Sequence, residues 1–291
     1  MNKTYRVVFN EVIGQYVAVS EHTKSAKKRS SQSILLRALL LTSLLSSQIA
    51  WASYTNRVGN LDLGTINDST SMAIGAGVSA SPMHAQAAGR DSVAIGSGAR
   101  SNEDSVSIGA DAGKGTLGNN NVGSIYIGSN SAINSKGTYN AIVGAYSARN
   151  MQGSENQIIG NSAANSMKGD RNVAIGSFAG FAATANNSTM LGSGAGFNSI
   201  GNANQYIGLD SGFGAKGNFN QAIGNKAANE LIGSENQLYG TNAGTNMQGD
   251  HNIALGSGSA TNSQGSHNQF LGNSSGIALN GSNNLALGAM S

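Results

Sequence analysis

The chain has 291 residues, among them 41 glycines, one proline and no cysteine, and only 11% of the residues are charged. Glycine this abundant without a Gly-X-Y triplet excludes collagen, and an aromatic content of 5% argues against a thick globular core. Without the first 52 residues the chain keeps ten basic and twelve acidic residues, a net charge of −2, so we expect no nucleic-acid partner.

The first 52 residues have the pattern of an export signal. Five basic residues between Lys24 and Arg37 lead into an apolar stretch from Leu39 to Leu45, and Ala50 to Ala52 fits an A-x-A cleavage pattern. We therefore expect a helical signal segment that delivers the chain to the Sec translocon and is cleaved after Ala52. The apolar run from residue 34 to residue 45 is short of the roughly 20 residues that span a membrane.

The segment ahead of the basic region carries a further signal. The stretches M-N-K-T-Y-R-V-V-F-N (1–10) and V-A-V-S-E-H-T-K (17–24) resemble the extended signal region of autotransporters and related large Gram-negative surface proteins. In that group the extension is thought to slow targeting to the translocon. The resemblance implies an exported protein.

Glycine recurs every 16 residues from Gly128 to Gly288, and we call these the coil glycines. The residues before each one form a short apolar segment, as in N-Q-I-I-G (156–160) and N-V-A-I-G (172–176). Small residues follow three positions after the coil glycine, and another glycine usually follows after nine. The period predicts an all-β parallel solenoid or roll with 16-residue coils, each holding two strands, in two parallel sheets.

The same strand motif recurs upstream with irregular spacing, as in S-M-A-I-G (71–75) and S-V-S-I-G (105–109). The predicted organisation is a linker at 53–70, irregular coils at 71–127 and regular coils at 128–288. Inserted surface loops are expected at 76–91 and 110–123. Residues 289–291 follow the last coil, and we expect neither a stalk nor a membrane anchor there.

An asparagine stands twelve residues after most coil glycines. Stacked at the coil spacing, identical amides form hydrogen bonds along the stack, so the column predicts an internal ladder with a structural role. The predicted ladder consists of Asn156, Asn172, Asn204, Asn220, Asn236, Asn252, Asn268 and Asn284.

The strand motif S/N-x-A-I-G followed by G-x-x-A resembles the head repeat of trimeric autotransporter adhesins, the group that includes the Yersinia adhesin. The resemblance covers residues 71–288 and implies a left-handed roll, a homotrimer and attachment to host extracellular matrix, such as collagen, or to host cells. That family adds a stalk and a membrane anchor after the head, so this sequence resembles a truncated head. Location at the cell surface or outer membrane is implied, or in the periplasm or medium for a chain without an anchor.

The same family associates its N-S-V-A-I-G strands with collagen binding. The matching positions, which we take as candidate ligand-binding residues, are Ser92, Val93, Ala94, Ile95 and Gly96 in one strand and Asn172, Val173, Ala174, Ile175 and Gly176 in another. The resemblance thus predicts an adhesin head, and the alternative is a structural or self-associating fibre segment without a dedicated receptor.

Other readings of the sequence are weaker. The stacked pair His251 and His267 is interpreted as part of a solvated turn in preference to a metal site. Phe181, Phe197 and Phe213 are interpreted as a corner ladder or trimer contact, with a binding stripe as the alternative. The acidic residues are spread singly over turns, and calcium-binding G-G-x-G-x-D repeats and flat Thr-x-Thr rows are absent. We therefore expect no enzyme, no catalytic residue, no cofactor and no metal site, and no ice- or carbohydrate-binding array.

Overall fold

The computed structural model describes residues 5–10, 14–20, 65–75, 84–116 and 121–291. The chain forms two compact units, residues 1–52 and residues 53–291. Within the described ranges every regular element is a strand, and no helix there is long and apolar enough to cross a membrane.

The first unit contains an antiparallel hairpin of β1 (Tyr5–Asn10) and β2 (Gln15–Ser20). The register runs from Tyr5 opposite Ser20 to Asn10 opposite Gln15, and Gly14 N–H donates to the Asn10 carbonyl at 2.9 Å in the turn. The expectation of a helical N-terminus is therefore wrong for residues 5–20, where β-branched and aromatic residues favour strands. The apolar stretch from residue 34 to residue 45 and the cleavage position lie outside the described residues.

The second unit is a parallel β-solenoid, as the 16-residue period predicts. Its strands are β3 (Thr65–Ile66), β4 (Met72–Ile74), β5 (Gln86–Ala87), β6 (Val93–Ile95), β7 (Arg100–Ser101), β8 (Val106–Ile108), β9 (Ile125–Ile127), β10 (Ala141–Val143), β11 (Gln157–Ile159), β12 (Val173–Ile175), β13 (Thr189–Leu191), β14 (Gln205–Ile207), β15 (Gln221–Ile223), β16 (Gln237–Tyr239), β17 (Ile253–Leu255), β18 (Gln269–Leu271) and β19 (Leu285–Leu287). Fourteen of them form one sheet that begins at β4 and ends at β19, and β3, β5 and β7 form a second. From β9 to β19 each strand pairs in parallel with the strand 16 residues away.

Close backbone contact between coils explains the glycine period. Gly144 has φ of +142°, and a Cβ added to it would overlap the carbonyl oxygen of Gly160 in the next coil. The second glycine of the same coil, Gly153, has φ of +147° and faces Gly169 in the same way. No other residue type adopts this backbone at this separation without strain, so both positions demand glycine in nearly every coil.

The predicted second strand of each regular coil is absent from residues 128–288. The small residues after the coil glycine lie in turns instead, because the residues two, four and six positions after it have a positive φ, as at Tyr146, Ala148 and Asn150. In this part of the coil, β-bridges are limited to the residue eight positions after the glycine, as between Lys136 and Gln152, while the turn residues form other backbone hydrogen bonds between coils. The second sheet is restricted to β3, β5 and β7 upstream.

Parts of the two segments predicted as surface loops belong to the stack. Within 76–91, Gln86–Ala87 form β5 and Ala87 is buried. Within 110–123, Ala112, Thr116 and Asn121 are fully buried. The irregular spacing upstream therefore changes the turns between strands, while the sheet continues through this region. Residues 76–83 and 117–120 lie outside the described ranges.

The core is a single file of small layers, one layer per coil. Each layer combines the buried residue at the strand centre with the residues six and nine positions later, and the place of the large side chains differs from layer to layer. Two neighbouring layers show complementary arrangements: Tyr206 with Gly212 and Ala215, and Ala222 with Ala228 and Leu231. Such complementary volumes fill a narrow interior without a thick apolar core.

Candidate binding surface

The alternation of side chains along each strand determines which of them are exposed for binding. In each three-residue strand the central side chain points into the core and the two flanking side chains point outward, as the two-residue period of a strand requires. The residue before the strand also points inward and belongs to the asparagine column. A coil therefore presents its strand to solvent through only two side chains.

The asparagine column forms a continuous hydrogen-bonded ladder inside the solenoid. The Asn220 side-chain oxygen accepts from the Asn236 backbone N–H at 3.0 Å and from its amide nitrogen at 3.1 Å. The Asn220 amide nitrogen also donates to the Gly233 carbonyl at 2.8 Å. The same pattern, in which a side-chain oxygen accepts from the next coil, also includes Asn140. Asn140 was not in the predicted ladder, although its spacing fits the column. At Ser188 the column continues through a hydroxyl, which accepts from Asn204 N–H at 3.1 Å.

A second ladder runs along the surface, two residues before each asparagine of the first, and our sequence analysis missed it. Here the side chain accepts from the backbone of the preceding coil, the opposite polarity to the internal ladder. Asp170 accepts from Ser154 N–H at 2.7 Å, and Asp250 accepts from Ser234 N–H at 2.7 Å. The column contains only Ser, Thr, Asn and Asp from residue 138 to residue 282, which is the signal that indicates it.

The ten candidate ligand-binding residues divide sharply by exposure. Ser92, Ala94, Asn172 and Ala174 are fully buried. The two glycines lie against the backbone of the next coil. Four side chains of the set reach the surface, namely Val93, Ile95, Val173 and Ile175, and Ile175 is 38% exposed. Any direct contact with a ligand in these two strands therefore depends on valine and isoleucine.

The last strand residue of every coil is a large apolar side chain, and together these side chains form what we call the apolar row. Its regular part consists of Ile127, Val143, Ile159, Ile175, Leu191, Ile207, Ile223, Tyr239, Leu255, Leu271 and Leu287. These side chains are half-buried or exposed, and Leu287 has the largest exposed fraction, 60%. Ten coil steps of about 4.8 Å make the row about 48 Å long. A continuous exposed apolar surface of this length is typical of an interaction site.

Two aromatic columns lie on the turns. Phe181, Phe197 and Phe213 stack with ring centroids 4.9 and 5.0 Å apart and planes within 5° of parallel, so each half-buried ring packs mainly on its neighbours. His251 stacks on His267 at 4.8 Å, and its Nδ1 lies 3.2 Å from Glu235 Oε2. Within the described ranges there is no group of three or more His, Cys, Asp or Glu residues suited to a metal ion.

A shallow groove of about 550 Å³ lies beside the histidine column. It is lined by two columns of outward side chains, one on the turn and one on the strand: Phe219, Glu235 and His251, and Gln221, Gln237 and Ile253. The Gln221 side-chain oxygen accepts from the Tyr239 hydroxyl at 2.6 Å. The groove thus brings one aromatic ring, two amides and a carboxylate–imidazole contact together.

Residues 1–50 match the extended signal peptide of type V secretion systems. This finding confirms the predicted extension, and it identifies the chain as an exported protein of type V secretion. Together with the β-solenoid, the signal fits a surface protein of the autotransporter type. Searches of curated proteins and of solved structures gave no significant match to the chain.

Proposed function

We propose that this protein is the head of a trimeric type V adhesin that attaches bacteria to host extracellular matrix or host cells. The observation that carries the proposal is the apolar row, which exposes one large apolar side chain per coil over about 48 Å of the sheet. Exposure of the row does not stabilise an isolated chain, whereas neighbouring copies that cover the row would bury its apolar side chains. The type V signal supports delivery of such a head to the outside of the cell.

The solenoid is suited to adhesion because it repeats one surface many times on a stiff support. Backbone and side-chain ladders tie each coil to the next, as at Asn220 and Asp170, so the spacing between equivalent sites is fixed. Weak contacts repeated at fixed spacing add by avidity when several engage one ligand fibre. In such a head Val93 and Val173 are the members of the candidate set left to reach a matrix ligand, because Ile95 and Ile175 belong to the column that neighbouring copies cover.

The alternative function is a structural fibre segment that associates with itself without a receptor. The apolar row also favours this alternative, because it provides a surface for other copies of the chain. The two functions differ in whether a host molecule binds to the assembled protein. A left-handed coil, as in the resembling family, would be compatible with either one.

Solid-phase binding of residues 53–291, which form one compact unit, to immobilised collagen, fibronectin and laminin and to epithelial cells tests the adhesin function. We expect saturable binding to at least one of these surfaces and none to albumin. Failure to bind any of them, with the protein folded and assembled, would leave the fibre segment as the better explanation.

A further inference from the structure

The groove lined by Phe219, Gln237 and His251 has features that neither the apolar row nor the ladders explain. We propose that it is a binding site for a neutral glycan. The proposal rests on the proposed function, since it names a class of ligand for an exported adhesin head. It concerns a discrete groove, which the absence of a flat Thr-x-Thr row does not exclude.

The Phe219 ring is exposed on a strained backbone. It is 62% exposed, and its backbone has φ of +57°, a region that suits glycine or asparagine, which stand in the same column at Gly123, Asn187 and Asn283. A bulky residue in this region loses on the order of 1 kcal/mol. Burial of the ring returns little of that loss, and the ring face is left open for a ligand to stack on it.

The polar groups of the groove both donate and accept. The Gln221 oxygen is held by the Tyr239 hydroxyl, so its amide nitrogen is left as a donor. Within the part of the chain that the structure describes, that nitrogen and the side-chain amide of Gln237 have no hydrogen-bond partner. Sugar hydroxyls need both donors and acceptors, and adjacent amides supply them.

The charges of the groove favour an uncharged ligand. Glu235 Oε2 lies 3.2 Å from His251 Nδ1, so the carboxylate already faces a partner within the site. No lysine or arginine lines the groove, so an acidic sugar finds no permanent counter-charge there. The volume of about 550 Å³ falls in the range of small-ligand sites, roughly 300–1,000 Å³, although the groove is shallow.

A related set of residues five coils earlier supplies an internal comparison. Phe219, Glu235 and Gln237 correspond there to Tyr139, Glu155 and Gln157. In that copy Ala141 replaces Gln221 and Arg171 replaces His251, and the Arg171 Nε donates to Asn187 Oδ1 at 2.8 Å. The earlier copy therefore keeps the ring but loses one amide and the carboxylate–imidazole contact, and we expect it to bind a neutral glycan poorly.

Two substitutions remove side chains that line the groove and are expected to leave the coil folded. Phe219→Ala creates the residue that the preceding coil already has at this position, Ala203, with φ of +57°. Gln237→Ala creates the residue found in the same strand position at Ala141. The matched controls are Tyr139→Ala in the earlier copy and Phe178→Ala, which removes an exposed ring elsewhere on the surface.

An array of neutral and sialylated oligosaccharides, probed with residues 53–291 and followed by titration of each hit, tests the site. We expect binding to at least one neutral glycan, weakened tenfold or more by Phe219→Ala and by Gln237→Ala but less than twofold by the two controls, with unchanged melting curves. Lack of binding to any neutral glycan, a preference for sialylated glycans, or equal loss in the controls would overturn the proposal.

Matrix and cell attachment of the same variants separates this proposal from the adhesin function. If the unmodified protein attaches to cells but binds no neutral glycan, the glycan site fails and the adhesin function stands. If it binds a neutral glycan through Phe219 but attaches to no matrix protein or cell, the site stands and the adhesin function fails.

Discussion

Gly212 lies directly against the ring of the buried Tyr206, so closely that a single added methyl group would overlap the aromatic carbons. Gly180 holds the same place two coils earlier with almost the same backbone, φ of +63° against +67°. There the strand residue is Ala174, and an added Cβ meets no atom closer than 3.3 Å. The two glycines therefore separate the effect of packing from the effect of backbone conformation.

Gly212→Ala is expected to destabilise the solenoid by about 2–3 kcal/mol, because the small layer around Tyr206 has no room for the extra atom. Gly180→Ala is expected to change stability by less than about 1 kcal/mol, since Ala164 and Ala228 adopt a similar φ in the same place. Thermal melting of residues 53–291 followed by circular dichroism compares them. Equal melting temperatures for the two variants would contradict the layered packing.

Asn220→Ala is expected to cost about 2–4 kcal/mol, because it leaves the Asn236 backbone N–H and the Gly233 carbonyl without their side-chain partner inside the solenoid. Asn220→Ser should be milder, as Ser188 shows that a hydroxyl maintains one bond of the ladder. Asn225→Ala, on the exposed surface, is the control. Chemical denaturation should rank the three in that order, and a null effect for Asn220→Ala would mean that the ladder contributes nothing to stability.

Val173→Gln and Val93→Gln separate ligand contact from folding. Glutamine already occupies the same outward strand position at Gln157 and Gln205, so both variants should melt within about 2 °C of the parent. If these strands contact a matrix ligand, as the resemblance implies, binding should weaken several-fold in the double variant. Unchanged binding would assign the contact to another surface.

Burial raises the pKa of Tyr126 to about 12, and it raises the pKa of Tyr206 as well. Neither hydroxyl forms a well-oriented hydrogen bond, although Ser124 and Asn220 offset part of the effect. An unfolded tyrosine loses its proton near pH 10, whereas the folded Tyr126 keeps it until about pH 12. Stability from this residue is therefore intact below pH 10 and falls between pH 10 and pH 12, by on the order of 2 kcal/mol.

Ultraviolet absorbance of the phenolate, recorded with stability across pH 9–12, checks this dependence. The double variant Tyr126→Phe and Tyr206→Phe should lose part of the alkaline sensitivity. Its stability at pH 7 should be unchanged or higher, because no strong hydrogen bond is removed. An alkaline transition identical in the parent and the variant would contradict the burial of these hydroxyls.

The features that depend on period could be predicted from sequence. The spacing of Gly144 and Gly160 predicted stacked coils with parallel pairing, and the pairing of Ile142 with Ile158 follows it. What the period does not encode is how a coil turns. The residues after the coil glycine are small and resemble a strand in composition, but their alternating positive φ, as at Ala148 and Asn150, is a property of the folded backbone.

The surface was harder to predict for a related reason. Exposure of the apolar row follows from strand alternation, but the groove at Phe219 and Gln237 depends on side chains from three coils that meet only after stacking. The hairpin at Tyr5–Asn10 and Gln15–Ser20 was missed because the basic and apolar pattern of the whole signal was extended to residues that have strand preferences of their own.

Sedimentation equilibrium of residues 53–291 tests the proposed assembly most directly, with Ile175→Asp as the variant and Lys226→Asp, on an exposed turn, as the control. We predict a mass three times that of the monomer for the parent and for Lys226→Asp, and dissociation of Ile175→Asp without loss of its β-sheet circular dichroism. A parent that remains monomeric across micromolar concentrations would contradict the trimeric head. Open-ended association without a defined trimer would favour the fibre segment instead.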